Sequence, residues 1–144
     1  MRVLHLTLKK KWFDMIASGQ KKEEYRDATS FILPRIFKLS RPFVHSNASI
    51  RYNTVTEAFW YCVGFKGCRS KALHLLFRKG AECRTYDAVT FQHGYKKNAD
   101  RVTIQFKGIS YGTGKPEWGA EPSKKYFIIN LGAIISPHQP ITIK

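Results

Sequence analysis

The sequence predicts an α+β fold: a small, mainly antiparallel β-barrel with helices packed against it. Two observations carry that prediction. Strand-like and helix-like periodicities alternate at the N-terminus, and three strand-like runs separated by glycine-rich turns occupy the last third. Curling such a sheet leaves few edges exposed. At 144 residues the chain is expected to form one domain with room for a single insertion. A chain of this length buries about two thirds of its unfolded surface, enough for a core without disulfides or metal.

Residues 3–8 alternate Val3, His5, Thr7 against Leu4, Leu6, Leu8, an opening strand. Residues 9–18 change period: Trp12 and Ile16, like Phe13 and Ala17, are i,i+4 pairs that give one apolar helical face, and Gly19 stands where a C-cap glycine belongs. Residues 20–26 are polar without a breaker and predict a short strand. Residues 29–39 predict a second amphipathic helix, opened or kinked at Pro34. Residues 41–84 give weak signals; 55–65 and 72–77 are apolar enough for buried helix or strand, and Gly64, Gly67 and Gly80 punctuate the region. Strands are then predicted over 86–91, 101–109 and 126–131. A glycine- and proline-rich loop at 112–122 holds Glu117, Trp118 and Glu121, and a tail with two prolines runs from residue 134.

Charge is the unusual quantity. Twenty-five Lys and Arg against ten Asp and Glu give +15 and a pI near 10.0. That surplus attracts polyanions and speeds their encounter without conferring sequence specificity. It points to nucleic acid or a nucleotide as partner. No window approaches the ~20 apolar residues of a membrane span, so no membrane partner is expected. The short apolar run at the N-terminus precedes its lysines, unlike a secretory signal, and three cysteines are an odd number for a disulfide framework. Both features predict a cytoplasmic protein.

The chemistry concentrates where the first helix hands over to the second strand. Gly19, Lys21, Glu24 and Arg26 stand at the spacing G-x-K-x-x-E-x-R. Glycine lets the chain reverse at positive φ. On an extended strand Glu24 and Arg26 share a face about 6.6 Å apart, so they can pair or address one ligand together. On spacing alone a charged, solubilising edge strand is the commoner explanation. Lys9, Lys10, Lys11 and Lys22 add a basic patch around the helix, with Trp12 and Tyr25 interleaved as possible stacking rings; Trp12 is expected to pack in the core. Lysines at a helix N-terminus oppose its dipole, which suggests that the charge serves another purpose. Trp118 beside Glu117 could stack on a base or cap the barrel. Cys62, Cys68, His74 and Cys83 invite a zinc reading, but their gaps lack the tight C-x2–4-C pair of structural sites, and free cysteines are expected there. His5, His45, His93 and His138 are scattered, and neither a nucleophile–histidine set nor a phosphate-cradling loop is present. No metal and no cofactor are expected.

The stretch LHLTLKKKWFDMIASGQKKEEYRD resembles the N-terminal signature of ASCH domains, whose motif is G-x-K-x-x-E-x-R. YDAVTFQHGY, RVTIQFKGISYG, EWGAEP and KKYFIINLGAII resemble that family's core strands in order. The resemblance covers roughly residues 3–40 and 85–135; residues 41–84 would then be an insertion and the natural surface for a protein partner. It implies a PUA-like barrel whose basic cleft, lined by Gly19, Lys21, Glu24 and Arg26, binds RNA before DNA, or a nucleotide; the basic patch and the loop add Lys9, Lys10, Lys11, Tyr25, Glu117 and Trp118 as binding residues. It also implies an alternative: a hydrolase acting on RNA or a modified nucleoside. In the family's acetylcytidine amidohydrolases a lysine, a threonine and a glutamate act. The lysine matches Lys21, the threonine position holds Glu24, and Glu117 or Glu121 matches the glutamate by region. A carboxylate cannot replace a hydroxyl nucleophile by the same route, but Lys21 could hold an anion while Glu24 takes a proton.

Overall fold

The computed structural model describes residues 1–39, 43–44, 51–52, 54–78 and 80–139. These form two compact units: Met1–Arg26 with Thr85–Lys144, and Asp27–Arg84. The first unit is a curled five-stranded sheet, a half-barrel, with one helix against it. Its strands are β1 (Val3–Leu8), β2 (Glu23–Arg26), and three from the C-terminal part. In chain order through the whole molecule the remaining strands are β3 (Phe37–Leu39), β4 (Phe43–Val44), β5 (Arg51–Tyr52), β6 (Ala81–Cys83), β7 (Ala88–His93), β8 (Arg101–Thr113) and β9 (Lys125–Gln139). The sheet order is β1-β7-β8-β9-β2, with β1 parallel to β7 and the other pairs antiparallel. β1 and β2 are therefore its two edges.

Alternation builds the inner face. Leu4, Leu6 and Leu8 of β1 are buried, as are Val89 and Phe91 of β7, Val102 and Ile104 of β8, and Phe127 and Ile129 of β9. Phe106, expected to continue the β8 row, is half-buried and packs edge-on to Tyr86. Helix α1 (Lys10–Ala17) buries Phe13 and Ile16. Register shifts bend the long β8–β9 ribbon. Between Phe106↔Leu131 and Ile109↔Ile129 the β8 side carries one more residue, and Gly108 supplies the needed positive φ of 108°.

Several sequence expectations change. The sheet is a half-barrel with open edges, not a closed barrel. The predicted helix over 29–39 shrinks to α2 (Leu33–Ile36), because Pro34 lies in its first turn and starts a helix rather than kinking one, and β3 follows at once. β8 and β9 both run further than their apolar runs suggested. The expected tail beyond residue 134 is strand as far as Gln139, with Ser136 opposite Thr103 and Gln139 opposite Arg101. Pro137 falls in the register irregularity between those pairs, the kind of place a strand proline occupies.

The second unit pairs β3 with β6 and β4 with β5 around α3 (Val55–Lys66) and α4 (Arg69–Arg78). α3 starts in a capping arrangement: Thr54 Oγ1 accepts a hydrogen bond from the Glu57 N–H at 3.2 Å. Val55, Ala58, Phe59 and Cys62 form its buried stripe, and Gly67 ends it at φ +67°. Cys62 is thus a core residue, whereas Cys68 and Cys83 are exposed thiols. Among the described residues no three His, Cys, Asp or Glu side chains converge as a metal site, and no helix is long and apolar enough to cross a membrane. His45 lies outside the described residues.

Candidate functional site

The C-terminus of α1 positions the motif. Ser18 stays helical, Gly19 turns at φ +83°, and the Lys21 N–H donates to the Met15 carbonyl at 2.9 Å. That return carries Lys21 back beneath the helix and leads into β2. Glu24 lies opposite Ile129 and Arg26 opposite Phe127, so both point to the face where those apolar side chains are buried. The sequence rule that places Glu24 and Arg26 on one face holds.

Lys21 and Glu24 are the two buried charged residues of the described chain, at 2% and 5% exposure. Lys21 Nζ donates to Glu24 Oε1 at 2.8 Å. The other carboxylate oxygen, Oε2, accepts from Arg26 Nε at 2.9 Å and lies 2.8 Å from Arg26 Nη2. Arg26 Nη2 also donates to the Thr7 carbonyl at 2.7 Å. Since Thr7 is on β1 and Arg26 on β2, this side chain ties together the two edge strands of the half-barrel. The ammonium of Lys21 meets aromatic faces as well, 4.8 Å from the Trp12 ring centroid and 5.7 Å from that of Tyr25. Such contacts strengthen when desolvated, to about 2 kcal/mol. Removing one member of a buried ion pair leaves a charge without compensation, at a cost of about 3–5 kcal/mol.

A loop over residues 114–124 covers this arrangement. Tyr25 donates to Glu23 Oε1 at 2.7 Å and accepts from the Lys115 N–H at 2.9 Å. Burial first pushes its phenol up to about 12; the Lys115 N–H opposes the rise, and the Glu23 and Glu117 carboxylates add to it. Tyr25 packs on Tyr126 at 5.7 Å between centroids. Gly114 is required beneath it, since a Cβ there would stand 2.6 Å from the Tyr25 ring. Gly119, at φ +103°, lies so close to Trp12 that a Cβ would come within 3.0 Å of the indole. Trp12 is half-buried against this loop rather than fully in the core.

The remaining candidates divide. Lys9, Lys10 and Lys11 are exposed at the start of α1. Lys10 pairs with Asp14 at 3.0 Å, and Lys11 Nζ lies 4.7 Å from the Trp12 centroid. Glu117 and Trp118 form a single 3₁₀ turn, Pro116–Trp118, on the covering loop. Glu117 is exposed, and Trp118 is half-buried with Lys115 Nζ 4.3 Å from its ring.

Beside the triad lies an open pocket of about 340 Å³ lined by Thr7, Leu8, Lys9, Arg26, His93, Gly94 and Tyr95. Its wall closes where the Gly94 N–H donates to the Leu8 carbonyl at 3.2 Å. Arg26 and Lys9 are its cations, Tyr95 is 89% exposed at its mouth, and His93 packs against Phe13 at 5.9 Å. Among the described lining residues none is acidic. Sequence reasoning passed over His93 and Tyr95. The string HGYKKN, a glycine turn followed by an aromatic and two lysines, was the available signal. No protein-family model, curated protein or solved structure matches the chain.

Proposed function

We propose that the chain is an ASCH-type, PUA-like cytoplasmic module that binds RNA or a nucleotide through the basic cleft at the motif. The observation that carries this reading is the pocket itself, lined by Lys9, an exposed tyrosine and the Arg26 guanidinium that Glu24 holds from behind, with no acidic residue among its described lining. Its volume is at the lower end of the roughly 300–1,000 Å³ typical of small-ligand sites. Two cations suit a phosphate, and an exposed ring suits a base. Within the motif the roles separate. Lys21 and Glu24 hold Arg26 in place from the buried side, and Arg26 and Lys9 meet the ligand. The pairing of Lys21 with Glu24 at 2.8 Å, with both out of solvent, weighs against the alternative of a hydrolase using those two groups on a substrate.

Fluorescence anisotropy of a labelled oligouridine, titrated across salt, tests the proposal. Wild type should bind with a steep salt dependence. Lys9→Ala should weaken binding several-fold and flatten the salt slope by about 0.7, the share of one cation on a single strand. A parallel product assay on RNA and on acetylcytidine should show no turnover. Turnover abolished by Lys21→Ala would replace this reading with the hydrolase.

A further inference from the structure

The second unit carries a cationic pocket of its own. Helix α4 buries Ala72, Leu73 and Leu76 on one side. On the opposite side Ser70, Lys71, His74, Leu75 and Arg78 line a pocket of about 330 Å³. Lys71, His74 and Arg78 recur at i, i+3 and i+7, which places all three on one helical face.

Several features set this face apart from a solvated helix surface. It lines a pocket rather than a convex surface. Two exposed lysines elsewhere are paired with carboxylates, Lys10 with Asp14 and Lys38 with Glu82. Among the described residues no hydrogen bond or ion pair engages the side chains of Lys71, His74 or Arg78, and none of the lining residues is acidic. The first turn of α4 likewise has no acidic residue, although Arg69 and Lys71 there oppose the helix dipole. The surrounding segment carries ten Lys and Arg against three Asp and Glu over residues 27–84. Repulsion among uncompensated cations on one face is a cost that a bound anion removes.

We propose that the α4 face is a second anion site that takes phosphate groups, with Lys71 and Arg78 as the charge contacts and His74 and Ser70 as hydrogen-bond partners. A guanidinium and an ammonium two turns apart, about 10.5 Å along the axis, can engage adjacent phosphate groups of one chain. The shared chemistry is the phosphate, and its source is either an RNA strand or a free polyphosphate. This proposal does not depend on the Arg26 pocket.

The test is NMR of the histidine side chains of the intact chain, with the His74 signal assigned by its loss in His74→Gln. Inorganic tripolyphosphate and a short oligouridine are titrated separately. The expected result is a saturable shift of His74 with at least one probe, lost in Lys71→Ala/Arg78→Ala and reduced in Arg78→Gln. A shift with the oligouridine alone identifies the strand as the source, and a shift with tripolyphosphate alone identifies free polyphosphate. Where the strand is the source, the double variant should also flatten the slope of salt-titrated RNA binding by about 1.4, two cations' worth. Because the substituted side chains are exposed, thermal melts of the variants should match wild type. A His74 signal unmoved by both probes, or moved equally in the double variant, overturns the proposal.

Discussion

Lys10 opens helix α1 and Lys21 follows its end, and each faces a carboxylate at hydrogen-bond distance, 3.0 Å from Asp14 and 2.8 Å from Glu24. Their surroundings make them different objects. The side chains of Lys10 and Asp14 are 73% and 51% exposed, so water already solvates both and their pairing contributes little. Those of Lys21 and Glu24 are 2% and 6% exposed, with Arg26 on the far oxygen and aromatic rings over the ammonium. Charge in a sequence therefore says nothing of its role until burial is known. The buried set holds the edge of the half-barrel, and the exposed cations are the ones free to meet a polyanion.

The largest effect should come from breaking the buried set. Glu24→Ala leaves Lys21 and Arg26 without their shared carboxylate, and thermal or urea unfolding should register a loss of about 3–5 kcal/mol. Next comes the cover. Gly114→Ala drives a methyl to within 2.6 Å of the Tyr25 ring and 2.8 Å of the Ala120 Cβ, and should cost about 1–3 kcal/mol by the same measurement.

Tyr25→Phe sharpens the comparison through pH. Removing the hydroxyl should cost about 1 kcal/mol near neutrality, since the Lys115 N–H loses its acceptor. The phenol is held at about 12 against an ordinary 10.0, so the folded state keeps this proton more tightly than the unfolded chain does. Its contribution is full below pH 10 and fades as pH rises from 10 to 12. Stability curves of wild type and Tyr25→Phe should therefore converge across that window, and parallel curves would contradict the assignment. The smallest effect is expected at the exposed pair. Asp14→Ala should change stability by no more than about 0.5 kcal/mol, and less in high salt.

Much of the first unit was legible because its signals are local. The alternation of Leu4, Leu6 and Leu8 and the helical pairs around Phe13 and Ile16 each state their period within a few residues. Glu24 and Arg26 declared their common face for the same reason. Burial of Lys21 was not legible: Lys21, Lys22 and Lys10 look alike in sequence, and only the return through Gly19 carries one of them under the helix. α3 was ambiguous because Trp60, Tyr61 and Val63 make it apolar on its outer side too, which blurs the stripe of Val55, Ala58, Phe59 and Cys62. The open pocket was invisible for another reason. Its walls come from β1, β2 and the turn after β7, and nothing in any one of these segments announces the other two.

The division between a buried positioning set and an exposed binding edge can be measured lysine by lysine. Brief labelling of the native chain with an amine-reactive reagent, with and without oligouridine, followed by mass spectrometry, reports both access and protection. Lys9 should label quickly and be protected by RNA, while Lys21 should stay unlabelled until the chain is unfolded. Labelling of Lys21 at the rate of Lys10 in the native protein, or Lys9 left unprotected by RNA at saturation, would contradict the account.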